Sequence, residues 1–360
     1  MSVRKIIDKI RLSRDLIRRR IGILLFDNKK TNAVDASQLN RIVIFRLDAK
    51  IGDSIVSSFV YKGFKRRFPN VTIDVITTAE MSDMYSTYFG VDNVYISKKR
   101  PAYNEIAKLA DKVAGADLVV HFSKSLKMKD LFFLKRLNGK AVAGLDDEVN
   151  LVNIKLGNKT DDQHFSYKYK TLLEYYGVTD VDDSYVIPNN PKCYDDVADE
   201  TNLKGDKLII INPFGSGTPR KLSKENLTLL IDKIRKLELG VKISFTVSPS
   251  EKSTVETLVK ENADICFLLD SCRSIYHAIA LINLADLVIS VDTSMIHIAS
   301  GLNKKLVALY NPDMNNYKEW APKSDRFEVI FSKENHINGI EIDKVVAGVK
   351  QLMVDEKTLG

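Results

Sequence analysis

The chain has 360 residues, 44% of them apolar and 28% charged, which is enough for two domains with separate cores. Its three cysteines, Cys193, Cys266 and Cys272, make no disulfide framework and fit a reducing compartment. The net charge is +7, but residues 1–22 alone hold eight basic residues and two acids, a net +6, so the body lacks the broad basic surface of a nucleic-acid-binding protein. No apolar run is long enough to span a membrane, and the first residues lack the apolar core and cleavage site of a signal peptide.

In chain order, residues 3–25 carry a helical pattern. Val3, Ile6, Ile7, Ile10, Ile17, Ile21 and Leu24 recur at spacings of three, four and seven, opposite a Lys/Arg face. Two readings stand equal. A basic amphipathic helix can lie on an anionic membrane surface, or its stripe can pack on the protein with the charges solvated. Residues 27–40 read as a linker, so a first segment spans 1–40.

A domain over 41–190 follows. Arg41–Leu47 reads as a buried strand, Asp48–Asp53 as a loop and Ser54–Arg67 as a helix. Gly52 suits a tight turn or a close ligand. Asp53 can cap the helix or act as a general base. The alternation continues with strands at Val71–Thr77, Val94–Ser97, Leu118–Phe122 and Ala141–Leu145. Helices read over 79–88, 103–113, 126–137 and His164–Tyr176. Alternating strand and helix predict a doubly wound parallel sheet.

Residues 178–206 read as a boundary, rich in Asp, Pro and Gly, and a second domain spans 191–360. Its strands fall at Leu208–Ile211, Val241–Val247, Ile265–Leu268, Asp286–Val291, Lys305–Tyr310 and Phe327–Phe331. Its helices fall at 223–239, 250–262, 273–284 and 341–354. The loop Gly215-Ser216-Gly217 has neither Walker nor dinucleotide spacing. It offers a flexible backbone followed by Arg220 and Lys221, cations suited to a diphosphate, or else a mobile loop with solvated charges. The run from Asp286 to Leu302 reads as a buried strand, a polar Asp292-Thr293-Ser294 cap and a helix holding His297. That places helix N–H groups at the carboxyl end of a parallel strand, an anion-binding arrangement.

These features together resemble the ADP-heptose:lipopolysaccharide heptosyltransferases, glycosyltransferase family 9, over residues 41–350. Four places carry the resemblance: Asp48-Ala-Lys-Ile-Gly-Asp53; Lys124-Ser125 with the spacing His164 to Tyr169; Arg220-Lys221; and Asp292-Thr-Ser-Met-Ile-His297. It implies a GT-B fold, two Rossmann-like parallel-sheet domains with a cleft between them. It implies an inverting transfer of heptose from ADP-heptose to a lipopolysaccharide core sugar, with Asp53 as base. Arg220, Lys221, Glu251, Asp292, Thr293, Ser294 and His297 would bind the donor. Lys50, Lys124 and His164 would face the acceptor. Glu251 can reach the ribose or serve in a capping box. The resemblance implies no metal and no cofactor, and a cytoplasmic enzyme peripheral on the inner membrane.

The sequence departs from the family in two places. Ser294 stands where glycine is usual, and Leu222-Ser223 replaces Trp-Pro. A transferase or epimerase of the same architecture using another nucleotide sugar, and a non-catalytic GT-B scaffold, are the alternative readings.

Overall fold

The computed structural model describes residues 3–27, 37–201, 203, 205–248 and 250–354. Residues 28–36 of the expected linker lie outside them. The chain forms two compact units: Met1–Ala49 with Ser57–Asp183, and Lys50–Val56 with Ser184–Gly360.

The first unit opens with helix α1 (Val3–Phe26) and strand β1 (Arg41–Arg46). The chain passes through helix α2 (Ile51–Val56), which belongs to the second unit, and returns as α3 (Phe59–Arg67). Then come β2 (Thr72–Thr77), α4 (Ala79–Asp83), β3 (Asn93–Ile96), α5 (Tyr103–Lys112) and β4 (Leu118–His121). The unit closes with α6 (Met128–Leu137), β5 (Ala141–Gly144), a two-residue β6 (Ile154–Lys155) and α7 (Phe165–Tyr175). The six strands are parallel, in the order β3-β2-β1-β4-β5-β6. Ile42, Val43 and Ile44 of β1 are buried because helices cover both faces of the sheet. Each such aliphatic side chain contributes roughly 1.5–3 kcal/mol on burial.

The one long helix expected over 54–67 is two helices in the structure, and the first begins early enough to include Gly52 and Asp53. The alternation rule cannot see such a break, because Ile55, Val56, Phe59 and Val60 continue the buried pattern across it.

Helix α1 attaches through its last turns. Gly22 lies so close to α6 that a Cβ there would come within 3.0 Å of the Met128 Cα. Phe26 meets Phe132 edge-on at 5.5 Å. Arg19 reaches Asp146 and Glu148, both at 2.9 Å. The Asp27 carboxylate accepts the backbone N–H groups of Asn150 and Leu151 at 2.9 and 2.6 Å. The docking face is therefore Arg19, Gly22, Ile23 and Phe26, not the apolar stripe read from the sequence. Ile10, Ile17 and Leu24 of that stripe remain 63%, 57% and 82% exposed. Of the two readings of this stripe, packing on the body is set aside.

In the second unit the stretch read as a linker carries helix α8 (Pro191–Glu200), started by an Asn190 cap and Pro191 in the first turn. The order continues β7 (Lys207–Asn212), α9 (Lys224–Arg235), β8 (Val241–Phe245), α10 (Lys252–Glu261) and α11 (Ile275–Leu284). Then follow β9 (Leu287–Val291), α12 (Ser294–Gly301), β10 (Lys305–Tyr310), α13 (Met314–Trp320), β11 (Phe327–Phe331) and α14 (Ile342–Met353). The strand expected at Ile265–Leu268 is a single bridge from Cys266 to Ile243. The parallel sheet runs β11-β10-β9-β7-β8. From β7 the chain first extends the sheet toward β8 and then crosses back to β9. The switch point, where such sheets bind ligands, lies between the carboxyl ends of β7 and β9.

Candidate active site

Both strands at that switch point end in polar residues. Strand β9 has a fully buried Leu287–Val291 segment and then stops at Asp292. Thr293 caps α12 and accepts the Met295 N–H at 3.3 Å. Strand β7 ends at Asn212, which is directly opposite Ser290 in the register. Its amide donates to the Ser290 hydroxyl at 3.0 Å and to the Thr293 hydroxyl at 2.8 Å.

The loop after β7 is closed on itself by backbone contacts. Phe214 bridges Lys221 in antiparallel fashion, and the Gly215 N–H donates to the Arg220 carbonyl at 2.7 Å. A Cβ on Gly215 would stand 2.8 Å from the Arg220 Cβ and 3.1 Å from the Thr293 methyl, so only glycine lets the loop close against the cap. Gly217 supplies the positive φ of the turn, +85°. Where the family has Trp-Pro, Leu222 is buried in the core and Ser223 caps α9 by accepting the Asn226 N–H at 3.3 Å.

That closed loop delivers its two cations to two carboxylates. The Arg220 guanidinium lies 3.2 Å from the Asp292 carboxylate and also donates to its carbonyl at 3.4 Å. Lys221 lies 2.6 Å from Glu251. Glu251 stands at the start of α10, but its side chain makes no cap bond; its second oxygen accepts from Ser248 at 2.9 Å. The capping-box reading is therefore set aside. Beyond β8, Phe245, Val247, Leu268, Leu269 and Cys272 line a cavity of about 200 Å³ with Lys252, Asp270 and Arg273 at it.

Asp292 is 9% exposed. Burial pushes its carboxyl above the usual carboxylate value, against the pull of Arg220 and of Asn316; Asp313 pushes in the same direction as burial. Asn316 donates to Asp292 at 2.8 Å. Neither α13 nor Asn316 is evident from hydrophobic periodicity, because α13 buries no residue fully. The available signal is Asn311-Pro-Asp313, a loop and helix cap after the strand next to β9.

Helix α2 lies against α12 within this same unit. A Cβ on Gly52 would come 3.0 Å from the His297 ring, 3.3 Å from the Ser294 Cα and 3.5 Å from its Cβ. Gly52 thus serves close helix approach rather than a tight turn, and the strained backbone falls instead on Ala49, with φ +51°. Ser294 occupies the family's glycine position, and its Cβ faces the space that Gly52 leaves empty. Asp53 sits in the first turn of α2, with Lys50 at 3.7 Å. His297 is buried, 5.7 Å from the Trp320 ring centroid. The structure therefore gathers Lys50, Asp53, Arg220, Lys221, Glu251, Asp292, Thr293, Ser294 and His297 in one unit.

Lys124 and His164 belong to the first unit. Lys124 is 3.7 Å from Asp161, both well exposed. His164 caps α7, its Nδ1 accepting the Ser166 N–H at 3.2 Å and lying 2.8 Å from the Ser166 hydroxyl. Among the described residues, no group of three or more His, Cys, Asp or Glu side chains is placed to hold a metal ion.

Residues 106–349 match the family model for glycosyltransferase family 9 (heptosyltransferase). The chain belongs to glycosyltransferase family 9. It is a glycosyltransferase of the α/β GT-B class, with two parallel-sheet units and an N-terminal helix. An Escherichia coli K12 protein provisionally named lipopolysaccharide heptosyltransferase 4 is 24% identical over 346 residues, 92% of this chain and 93% of its own. Escherichia coli ADP-heptose LPS heptosyltransferase II matches the fold with a TM-score of 0.67 and 18% identity, over 89% of this chain and 100% of its own. Escherichia coli heptosyltransferase WaaC, solved with ADP, matches with a TM-score of 0.65 and 15% identity, over 87% of this chain and 99% of its own. For this family 9 glycosyltransferase, the family match covers β9, α12 and the closed loop, while α2 with Asp53 lies outside the matched residues.

Proposed function

We propose that this glycosyltransferase moves a heptose from ADP-heptose to a lipopolysaccharide core sugar with inversion. The observation that carries the reading is the seating of α2, with Asp53, against α12, which bears Ser294 and His297, directly after Asp292 and Thr293. One unit thereby holds both the carboxylate read as the base and the strand end read as the ligand site.

The acceptor hydroxyl oxygen attacks the anomeric carbon as the bond from that carbon to the diphosphate oxygen breaks. Asp53 takes the hydroxyl proton, and ADP leaves with the bonding electron pair. Arg220, Lys221 and the N–H groups at the start of α12 stabilise the charge that ADP gains. Glu251 binds the ribose, with the cavity beyond β8 receiving the base. Asp292 binds sugar hydroxyls, with Thr293, Ser294 and His297 completing the donor site. On the acceptor side, Lys50 is the candidate in this unit and Lys124 and His164 are the candidates in the first unit. Arg220 and Lys221 supply the positive charge for the diphosphate, so this reading is metal-independent.

The exposed side of α1 gives the acceptor's membrane a docking element. Its Ile10, Ile17 and Leu24 face outward among Lys9, Arg14 and Arg18. Apolar insertion beside basic residues suits an anionic bilayer surface, which supports a peripheral position on the cytoplasmic face of the inner membrane. The experiment is donor turnover by the intact protein, comparing ADP-heptose with UDP-sugars on a lipopolysaccharide core acceptor. Preferential use of ADP-heptose with inverted stereochemistry supports the reading. Turnover of a UDP-sugar without ADP-heptose transfer overturns it.

A further inference from the structure

The buried side chains behind Thr293 form a directed chain of hydrogen bonds. Thr246, 4% exposed, donates its hydroxyl proton to the Asn212 side-chain oxygen at 3.2 Å. The Asn212 amide nitrogen, with two protons, donates to Ser290 and Thr293 at 3.0 and 2.8 Å. The Ser290 proton is itself spent on the Val291 carbonyl at 2.8 Å. Ser290 can therefore only accept from Asn212, and this fixes which way round the amide lies.

The consequence falls on Thr293. A hydroxyl has two lone pairs and one proton. In Thr293 one lone pair takes the Asn212 N–H and the other takes the Met295 N–H at 3.3 Å. Only its proton is left to offer, and Thr293 is half-buried at the end of β9 where the site opens. A ligand atom meeting this hydroxyl must be an acceptor. Phosphate oxygens satisfy that; a sugar hydroxyl presenting its proton does not.

We infer that Asn212 is a positioning residue that makes the Thr293 hydroxyl an obligatory donor to an oxygen of the donor's diphosphate. This deepens the proposed donor site and rests on that reading. Asn212 does not touch the ligand. It acts by occupying a lone pair, so its effect must vanish when the Thr293 hydroxyl is absent.

The test is a double-mutant cycle read as ADP affinity by titration calorimetry, on Asn212→Ala, Thr293→Val and the double variant. Thr293→Ser, which keeps the hydroxyl and the cap, is the control. Asn212→Ala alone should weaken ADP binding about fivefold to tenfold, less than the complete loss of a charge-assisted hydrogen bond because the Thr293 hydroxyl is still present and only loses its fixed direction. In the Thr293→Val background it should cost less than twofold, and Thr293→Ser should bind nearly as wild type. Asn212→Ser, too short to reach Thr293, repeats the cycle with a polar residue should the alanine variant not fold. Equal losses from Asn212 variants in both backgrounds would show a merely structural role and overturn the inference. Wild-type protein that binds neither ADP, UDP nor GDP would overturn the donor-site reading itself, and the inference with it. That outcome is distinct from wild-type binding with additive variants.

Discussion

Arg220 grips Asp292 twice, its guanidinium 3.2 Å from the carboxylate and donating to the same residue's backbone carbonyl at 3.4 Å. The pairing ties the loop after β7 to the end of β9, the two sides of the switch point. It also brings the cation proposed to meet a diphosphate next to a carboxylate that is nearly buried. Removing one partner therefore affects the other.

Arg220→Ala should weaken ADP binding by roughly 1.5–3 kcal/mol, the value of a hydrogen bond to a charged group. It also removes the main force holding down the Asp292 pKa. Since Asp292 accepts hydroxyl protons best when ionised, the acid limb of kcat/KM should move to higher pH in this variant. A pH–rate profile that keeps the wild-type limb would separate Asp292 from the step measured.

Lys221 is held by Glu251 at 2.6 Å, so in the proposed donor site a diphosphate would compete with a carboxylate for it. Lys221→Ala should weaken ADP by the same roughly 1.5–3 kcal/mol. Glu251→Gln should release Lys221 while impairing the ribose contact, so inorganic pyrophosphate should bind more tightly and adenosine less tightly. Calorimetry with the two fragments checks this, and parallel changes in both would refute the division of labour.

Asp292→Asn should raise the melting temperature while removing most turnover. The Asp292 carboxyl is raised in the folded chain from an ordinary value of 3.8. Its contribution to stability is thus fully present below that value and is lost as pH rises through the higher folded value. At neutral pH the ionised, buried side chain is a net cost, which the neutral amide avoids. Melting curves at acidic and neutral pH should converge for wild type and variant only at the acidic end.

Asp53→Asn keeps the size of the side chain and removes the base. The loss in kcat should be about 10²–10⁴-fold with ADP affinity unchanged. Gly52→Ala, one residue earlier, acts by packing: its methyl would stand 3.0 Å from the His297 ring. Overpacking there should cost about 1–3 kcal/mol. Activity should fall along with melting temperature in Gly52→Ala, but alone in Asp53→Asn, which distinguishes chemistry from helix seating.

Two truncations separate the ends of α1. Deleting residues 1–16 removes five basic residues and much of the exposed stripe but leaves the Arg19, Gly22 and Phe26 attachment. Binding to anionic vesicles should drop sharply, at about 1 kcal/mol per basic residue near the surface, with the melting temperature unchanged. Deleting residues 1–27 also removes the docked turns and should lower the melting temperature by about 5 °C or more. Vesicle binding by wild type should weaken as salt rises. Full vesicle binding by the shorter truncation would place the membrane contact elsewhere.

Most of the architecture was legible in the residues because it depends on local pattern. Buried β-branched runs such as Ile42–Ile44 and Leu287–Val291 read as strands covered on both sides, and Asp292-Thr-Ser reads as the start of a helix. The same local chemistry marked Asp53, Arg220, Lys221 and Asp292 as candidates. What the tertiary structure decided was pairing between residues far apart in the chain. It joined α2 to the second unit, turned the Gly215 loop into a closed hairpin, attached α1 through Arg19, Gly22 and Phe26, and brought Asn316 to Asp292. Periodicity reports which side of an element is apolar, not which partner covers it. A hydrogen bond between Asn212 and Thr293, across 81 positions, leaves no periodic trace in the sequence at all.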